Sequence, residues 1–116
     1  MKKLRVFMVL GLLLYGVLQI AMASEAVWID VRTAEEFEAG HVPPAINIPY
    51  EQIAAEVAEL GLAYDQPIYL YCRSGRRAGI ALQSLQELGY QQVVNVGGLE
   101  DAKQLFAGEE KTGSSE

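Results

Sequence analysis

A single cysteine lies within a short basic segment near the middle of the chain. This segment reads Cys72-Arg73-Ser74-Gly75-Arg76-Arg77. A free cysteine with a pKa of about 8.5 is only about 3% thiolate at pH 7, and the thiolate is the nucleophilic form. Guanidinium groups are permanently charged and favour an anion beside them. We therefore interpret Cys72 as a reactive nucleophile rather than as the small buried hydrophobe that a lone cysteine often is.

The sequence on either side of this segment predicts a strand followed by a helix. Residues 68–71 are a short β-branched, apolar and aromatic run, which is typical of a buried strand. Apolar residues then recur at helical spacing, at Ala78, Ala81, Leu82, Leu85 and Leu88. Cys72 is therefore expected on the loop between them. In open α/β sheets this is where ligands bind, and the free N–H groups of a helix start favour an anion there.

Strands and helices alternate along the rest of the sequence. The predicted strands cover residues 26–31, 45–48, 68–71 and 92–96. Helices are predicted between the strands, and a last helix should run from Glu100 to Ala107 and end at Gly108. This alternation is typical of an α/β fold. We predict a small doubly wound parallel sheet with helices on both faces.

Two short motifs predict local details of this arrangement. Thr33 followed by Glu36 is a capping box, which predicts that a helix begins at Ala34. Gly97-Gly98 predicts a tight turn beside the sheet, because glycine adopts backbone angles that other residues avoid.

The N-terminal residues have the pattern of an export signal. Basic residues at positions 2, 3 and 5 precede an apolar run over residues 6–20, and Ala21-Met22-Ala23 is a small-x-small cleavage signature. We interpret residues 1–23 as a signal peptide, 24–108 as one domain and 109–116 as a polar C-terminal tail. The protein would then be periplasmic or otherwise exported, without stable membrane association. The alternative is an uncleaved membrane anchor, because the 18 residues 6–23 are close to the minimum of about 17 that span a bilayer.

Composition and charge narrow the possible partners. Residues 24–116 contain six basic and 15 acidic residues, which gives them a net charge of −9. A nucleic-acid partner needs a basic face, so we predict none. A lone cysteine cannot form an internal disulfide. One cysteine and one histidine are too few for a typical metal site, so we predict none. We expect no cofactor, and we expect a monomer.

Several motifs resemble, in order and spacing, those of the rhodanese homology domain. They are Asp30-Val31-Arg32, Glu36-Phe37, Gly40-His41-Val42, Ala45-Ile46-Asn47-Ile48-Pro49, the segment 72–77 and Gly97-Gly98-Leu99. The resemblance covers nearly all of residues 24–116. It is greatest to the short, exported, single-domain rhodaneses of bacteria, and it implies the rhodanese-like fold.

The resemblance also implies thiosulfate sulfurtransferase activity. The thiolate of Cys72 would take the outer sulfur of thiosulfate as a persulfide and pass it to cyanide or another thiophilic acceptor. The substrate-binding residues that it implies are Arg73, Ser74, Gly75, Arg76 and Arg77. Their backbone N–H groups would form a cradle for small sulfur anions, which Gly75 would shape by adopting a positive φ.

Two other functions fit parts of the same pattern. A cysteine-dependent phosphatase or arsenate reductase also cradles an anion, but it has an arginine six positions after the cysteine, where this chain has Ala78. A non-catalytic rhodanese-like sulfur carrier or binding module is the second alternative. A domain that had lost its activity would be expected to have lost the cysteine, which this chain keeps.

Overall fold

The structure, a computed structural model, describes residues 25–114, so the predicted signal peptide lies outside the described residues. In chain order the elements are β1 (Val27–Asp30), α1 (Ala34–Ala39), β2 (Ile46–Asn47), α2 (Ile53–Glu59), β3 (Ile68–Cys72), α3 (Arg76–Glu87), β4 (Val93–Gly98) and α4 (Leu99–Ser114), with a 3-10 turn at Tyr50–Gln52. Crossing a membrane would need a longer and more apolar helix than any within this range.

The strands of this range form one parallel sheet in the order β2-β1-β3-β4. β1 lies between β2 and β3, and β4 pairs with the other side of β3. The chain therefore leaves β1 towards one edge of the sheet and leaves β3 towards the other. The predicted parallel α/β sheet is confirmed, and its topological switch point lies between the carboxyl ends of β1 and β3.

Each face of the sheet has its own apolar core. Side chains alternate between the two faces along a strand, so Ile29 and Leu70 point to one core and Trp28 and Tyr71 to the other. Helices α2 and α3 cover the first core. Helices α1 and α4 cover the second, to which Phe37, Leu99 and Phe106 contribute from the helices. The prediction of helices on both faces is confirmed.

Helix α1 begins where the sequence predicted. The hydroxyl of Thr33 accepts a hydrogen bond from the Glu36 N–H at 3.2 Å, and the Glu36 carboxylate accepts one from the Thr33 N–H at 3.3 Å. The capping box is therefore confirmed. It places the Glu36 carboxylate at the start of the helix, which matters for the site described below.

The end of the sheet next to Cys72 differs from the sequence prediction. The prediction of a tight turn at Gly97-Gly98 is wrong, because both glycines belong to β4, where Gly98 pairs with Cys72. Cys72 was expected on a loop and is instead the last residue of β3. A β-bulge in the pairing of β3 with β4 explains why the two glycines stay within the strand. Gly97 has a φ of 106° and accommodates the bulge there.

Helix α4 is longer than predicted. It was expected to end at Gly108, but it continues through Ser114, so residues 109–114 of the predicted polar tail are helical. A glycine inside a helix costs only about 1 kcal/mol relative to alanine, which flanking interactions can offset. Residues of this extension lie close to the sheet, because burial and the nearby Glu109 carboxylate both raise the pKa of Tyr69.

Candidate active site

Cys72 lies at the carboxyl end of β3, next to the topological switch point. The strands on its two sides end at Asp30 and Gly98. The chain then turns through Arg73 and Ser74 and enters α3 at Gly75, which is the N-cap of that helix. The thiol therefore faces the first turn of a 12-residue helix, whose amino end favours an anion.

Backbone N–H groups surround the sulfur of Cys72. The N–H of Gly75 donates to Sγ at 2.9 Å. Burial of the residue raises the pKa of the thiol, but hydrogen bonds from the backbone N–H groups of Ala78, Ser74, Gly75 and Arg77 lower it, and the net pKa lies below its ordinary value. The sequence predicted that guanidinium charge and the start of the helix would both favour the thiolate. In the structure the leading contributions that favour the thiolate come from the backbone.

Two glycines allow the backbone to close around the sulfur. Gly75 has a φ of 95°, as predicted, and this left-handed conformation turns its N–H towards Sγ. Gly98 lets the loop approach the sheet, because a Cβ there would lie 2.5 Å from the carbonyl oxygen of Arg73. The N–H of Gly98 also donates to the Asp101 carboxylate at 2.9 Å, which joins β4 to the first turn of α4.

The three arginines of the segment have different surroundings. Arg73 and Arg76 are exposed, and their guanidinium groups form no ion pair within residues 25–114. Arg77 instead donates two hydrogen bonds to the Glu36 carboxylate, at 2.8 and 3.0 Å. This contact is the main cause that lowers the pKa of Glu36 to about 2 and raises that of Arg77. The Cys72 thiolate raises the pKa of Arg77 further.

A buried ion pair holds the neighbouring loop after β1. The Asp30 carboxylate accepts from the Arg32 guanidinium at 2.6 Å and from the Arg32 backbone N–H at 2.9 Å. Arg32 also donates to the Gly40 carbonyl at 2.7 Å, which ties this loop to the end of α1. Both side chains are almost fully buried, and their partners satisfy them. The pair therefore braces the edge of the sheet beside Cys72.

An open cleft of about 410 Å³ borders the site. Arg32 and Arg73 contribute positive charge to it, and Glu100 and Asp101 from the start of α4 contribute negative charge. Ser74 is exposed on the loop. No three His, Cys, Asp or Glu side chains are grouped as metal ligands in the part of the chain that the structure describes.

Comparison with known proteins agrees with this geometry. Residues 16–104 match the Rhodanese-like domain family. The chain belongs to this family. Over 74 residues it is 40% identical to the thiosulfate sulfurtransferase PspE of Escherichia coli strain K12. The match covers 64% of this chain and 71% of that protein. It is also 31% identical over 80 residues to a sulfurtransferase of Allochromatium vinosum, covering 69% of this chain and 73% of the relative.

A solved structure has the same fold. It is described as "rhodanese with anions from E. coli" and matches with a TM-score of 0.64 and 39% sequence identity. The match covers 66% of this chain and 91% of that one. The rhodanese-like fold predicted from the sequence is therefore confirmed.

Sequence reasoning missed some residues of this rhodanese-like site. Glu36 was assigned to the capping box and to a family motif, and its contact with Arg77, 41 residues away in the sequence, was not predicted. Ala78 was considered as a helix-face residue and as the position where a phosphatase has arginine, yet its backbone N–H is a leading cause that lowers the pKa of Cys72. Such a backbone contribution leaves no signal in the residue type. Asn95 was given no role, although its side chain contacts the loop.

Proposed function

We propose that this rhodanese-like protein is a thiosulfate sulfurtransferase that moves a sulfane sulfur from thiosulfate to cyanide or another thiophilic acceptor. The observation that carries the proposal is the backbone N–H of Gly75, which donates to Cys72 Sγ at 2.9 Å, together with the neighbouring backbone N–H groups that lower the pKa of the thiol. Such preorganised donors stabilise a thiolate and the sulfur anions derived from it. The 40% identity to an E. coli protein named as a thiosulfate sulfurtransferase supports the same assignment.

In the first step, the Cys72 thiolate attacks the outer sulfur of thiosulfate. A lone pair of Sγ forms a new S–S bond, the S–S bond of thiosulfate breaks, and its electron pair leaves with sulfite. The products are a Cys72 persulfide anion and sulfite, so the total charge of −3 is unchanged. No proton moves in this step. A general base is therefore unnecessary as long as the thiol is already ionised.

In the second step, a thiophilic acceptor removes the terminal sulfur. Cyanide attacks it, the S–S bond of the persulfide breaks, and the electron pair returns to Sγ. Thiocyanate leaves, and the Cys72 thiolate is restored. The same N–H groups stabilise the anion before and after transfer, because the negative charge stays within the loop throughout the cycle.

The loop arginines take separate roles in this proposal. Arg73 and Arg76 have exposed guanidinium groups that bind the sulfonate oxygens of thiosulfate. Arg77 acts mainly through its backbone N–H, because its guanidinium is held by Glu36. The hydroxyl of exposed Ser74 adds a further donor. The substrate is thus a small sulfur anion whose sulfonate oxygens are bound by the arginines while its outer sulfur contacts Sγ.

A non-catalytic sulfur carrier or binding module is the second candidate. The burial of Cys72 favours it, since the residue has 0% of its surface exposed. Turnover requires the loop to admit thiosulfate to this sulfur, whereas a binding module has no such requirement. The candidates therefore differ in what happens at Cys72: the sulfurtransferase gains a sulfur atom from thiosulfate and releases it to cyanide, a carrier keeps it, and a binding module never gains it.

The deciding experiment is mass spectrometry of the purified protein after incubation with thiosulfate. We expect the intact mass to increase by one sulfur atom located on Cys72, and cyanide to remove this atom with formation of thiocyanate. Cys72→Ser is the matched control and should gain nothing while keeping the circular dichroism spectrum. A wild-type mass that does not change would refute the sulfurtransferase. A persulfide that no acceptor removes would instead support the carrier.

A further inference from the structure

Asn95 lies beside the loop because of the bulge in β4. Leu70 of β3 is in register with Asn95, but the next residue of β3, Tyr71, is in register with Gly97. Val96 is therefore the additional residue of β4. As a result, Asn95 and Gly97 lie next to the turn that leads from Cys72 into α3.

The side-chain amide of Asn95 bridges two backbone groups. Its Nδ2 donates to the Gly75 carbonyl at 2.9 Å, and its Oδ1 accepts from the Gly97 N–H at 3.0 Å. The Gly75 carbonyl also accepts the first helical hydrogen bond, from the Gly79 N–H at 2.9 Å. The N–H of Gly75 donates to Cys72 Sγ. Both polar backbone groups of Gly75 are thus engaged, one by the nucleophile and one by Asn95.

We propose that Asn95 is a positioning residue for sulfur transfer, which holds the Gly75 carbonyl against β4 and so fixes the N–H that faces Cys72 Sγ. Asn95 touches neither the sulfur nor a substrate in this proposal. It acts through Gly75. The expected effect of Asn95 on turnover rests on the sulfurtransferase function proposed above. The expected effect of Asn95 on the pKa of the thiol does not, because that pKa can be measured without any substrate.

The conformations of the two bridged residues explain why such a clamp matters. Gly75 and Gly97 have φ values of 95° and 106°, and glycine has the widest choice of backbone angles. A loop built on two such residues loses its donor geometry when either one rotates. A single amide that binds both removes this freedom. The other donors to the sulfur lie next to Gly75 or in the first turn of α3, so they move with it.

The test compares the reactivity of Cys72 in wild type, Asn95→Ala and Asn95→Asp. The rate of alkylation by iodoacetamide is measured against pH, which gives the apparent pKa of the thiol. For Asn95→Ala we expect this pKa to rise by roughly half a unit to one unit, the effect of weakening one hydrogen bond. The rate of persulfide formation from thiosulfate below this pKa should fall by about three- to tenfold, in proportion to the thiolate.

Asn95→Asp covers the case in which the alanine variant fails to fold. The aspartate retains an acceptor for the Gly97 N–H but presents no donor to the Gly75 carbonyl, so the apparent pKa of Cys72 should again rise. Gln92→Ala is the matched control. It removes another exposed side-chain amide, whose Nε2 donates to the Asp65 carbonyl at 2.9 Å next to the opposite end of β4. We expect it to leave the thiol pKa at the wild-type value.

The outcomes separate this inference from the proposed function. A low thiol pKa in wild type that is unchanged in both Asn95 variants would overturn the positioning role and leave the sulfurtransferase intact. A rise in both variants, without a rise in Gln92→Ala, would support it. If persulfide never forms in wild type but the pKa still rises in the variants, the clamp is supported and the proposed function fails.

Discussion

Arg77 and Glu36 are joined by two hydrogen bonds, Nη1 to Oε1 at 2.8 Å and Nη2 to Oε2 at 3.0 Å. The pair connects the first turn of α3 to the first turn of α1 across 41 residues of sequence. Planar fork-to-carboxylate pairing of this kind fixes orientation as well as charge. The backbone N–H of Arg77 is also among the causes that lower the pKa of Cys72, so the same residue connects the anion cradle to α1.

Replacing Glu36 with glutamine should loosen this connection. The introduced amide would keep an acceptor for the capping box but would remove the charge that pairs with Arg77, whose side chain is 19% exposed. We expect Glu36→Gln to lower the free energy of unfolding by about 1 kcal/mol, which urea denaturation measures. Glu35→Gln removes a charge from the same first turn and should change it little. Equal stabilities of the two variants would contradict a structural role for the ion pair.

The same carboxylate should make stability depend on pH in the acid range. The Arg77 hydrogen bond lowers the pKa of Glu36 from 4.5 to about 2. A carboxyl with a lowered pKa in the folded state stabilises the fold above pH 4.5, and this contribution is lost as pH falls towards 2. The stability difference between wild type and Glu36→Gln should therefore be constant near neutral pH and shrink between these values. A difference that is independent of pH would contradict the lowered pKa.

The fold was more predictable than the site, and particular residues show why. The alternation of strands and helices and the capping box at Thr33 depend on neighbouring residues, which the sequence displays directly, and the family resemblance implied the positive φ of Gly75. The contact of Glu36 with Arg77 and that of Asn95 with Gly75 join positions 41 and 20 residues apart. No local pattern encodes such contacts, because packing and strand register decide them. The bulge at Val96 and the extension of α4 past Gly108 depend on the same tertiary context.

The exposed arginines should affect thiosulfate binding more than they affect the thiol. Each guanidinium forms a charge-assisted contact with the substrate in the proposed function, and losing one should raise KM for thiosulfate by about tenfold in Arg73→Ala or Arg76→Ala. The apparent pKa of Cys72 should change little, because the leading contributions that lower it come from backbone N–H groups. Steady-state assays of thiocyanate formation measure KM. Lys103→Ala removes a positive charge outside the loop and should leave KM unchanged, and an equal rise there would point to a general charge effect.

Export should produce a chain that begins at Ser24. The small-x-small signature at 21–23 predicts cleavage after Ala23 in a bacterial host that expresses the full chain. Mass spectrometry of the exported fraction gives the N-terminus. Ala23→Arg removes the small residue that the signal peptidase requires and should leave the protein uncleaved. A wild-type chain that stays at full length in the membrane fraction would favour the anchored alternative.

Two glycine-to-alanine variants should have opposite effects. A Cβ at Gly98 would lie 2.5 Å from the Arg73 carbonyl oxygen, so Gly98→Ala must displace either the loop or the end of β4. Such overpacking costs roughly 1 to 3 kcal/mol, and the displaced loop should also slow thiocyanate formation. A Cβ at Gly108, in the middle of α4, meets nothing within 4 Å. Gly108→Ala should therefore raise the free energy of unfolding by about 0.5 to 1 kcal/mol and leave turnover unchanged.

Thermal unfolding and turnover of the same two preparations test this pair together. A Gly98→Ala enzyme with wild-type turnover would mean that the approach of Arg73 to β4 has no part in shaping the anion cradle. A Gly108→Ala protein that is less stable than wild type would mean that the glycine relieves a contact within α4. The expected combination is a less stable, slower Gly98 variant and a more stable Gly108 variant of normal activity. The two variants should differ because Gly98, unlike Gly108, lies in β4 where the loop backbone contacts the residue that pairs with Cys72.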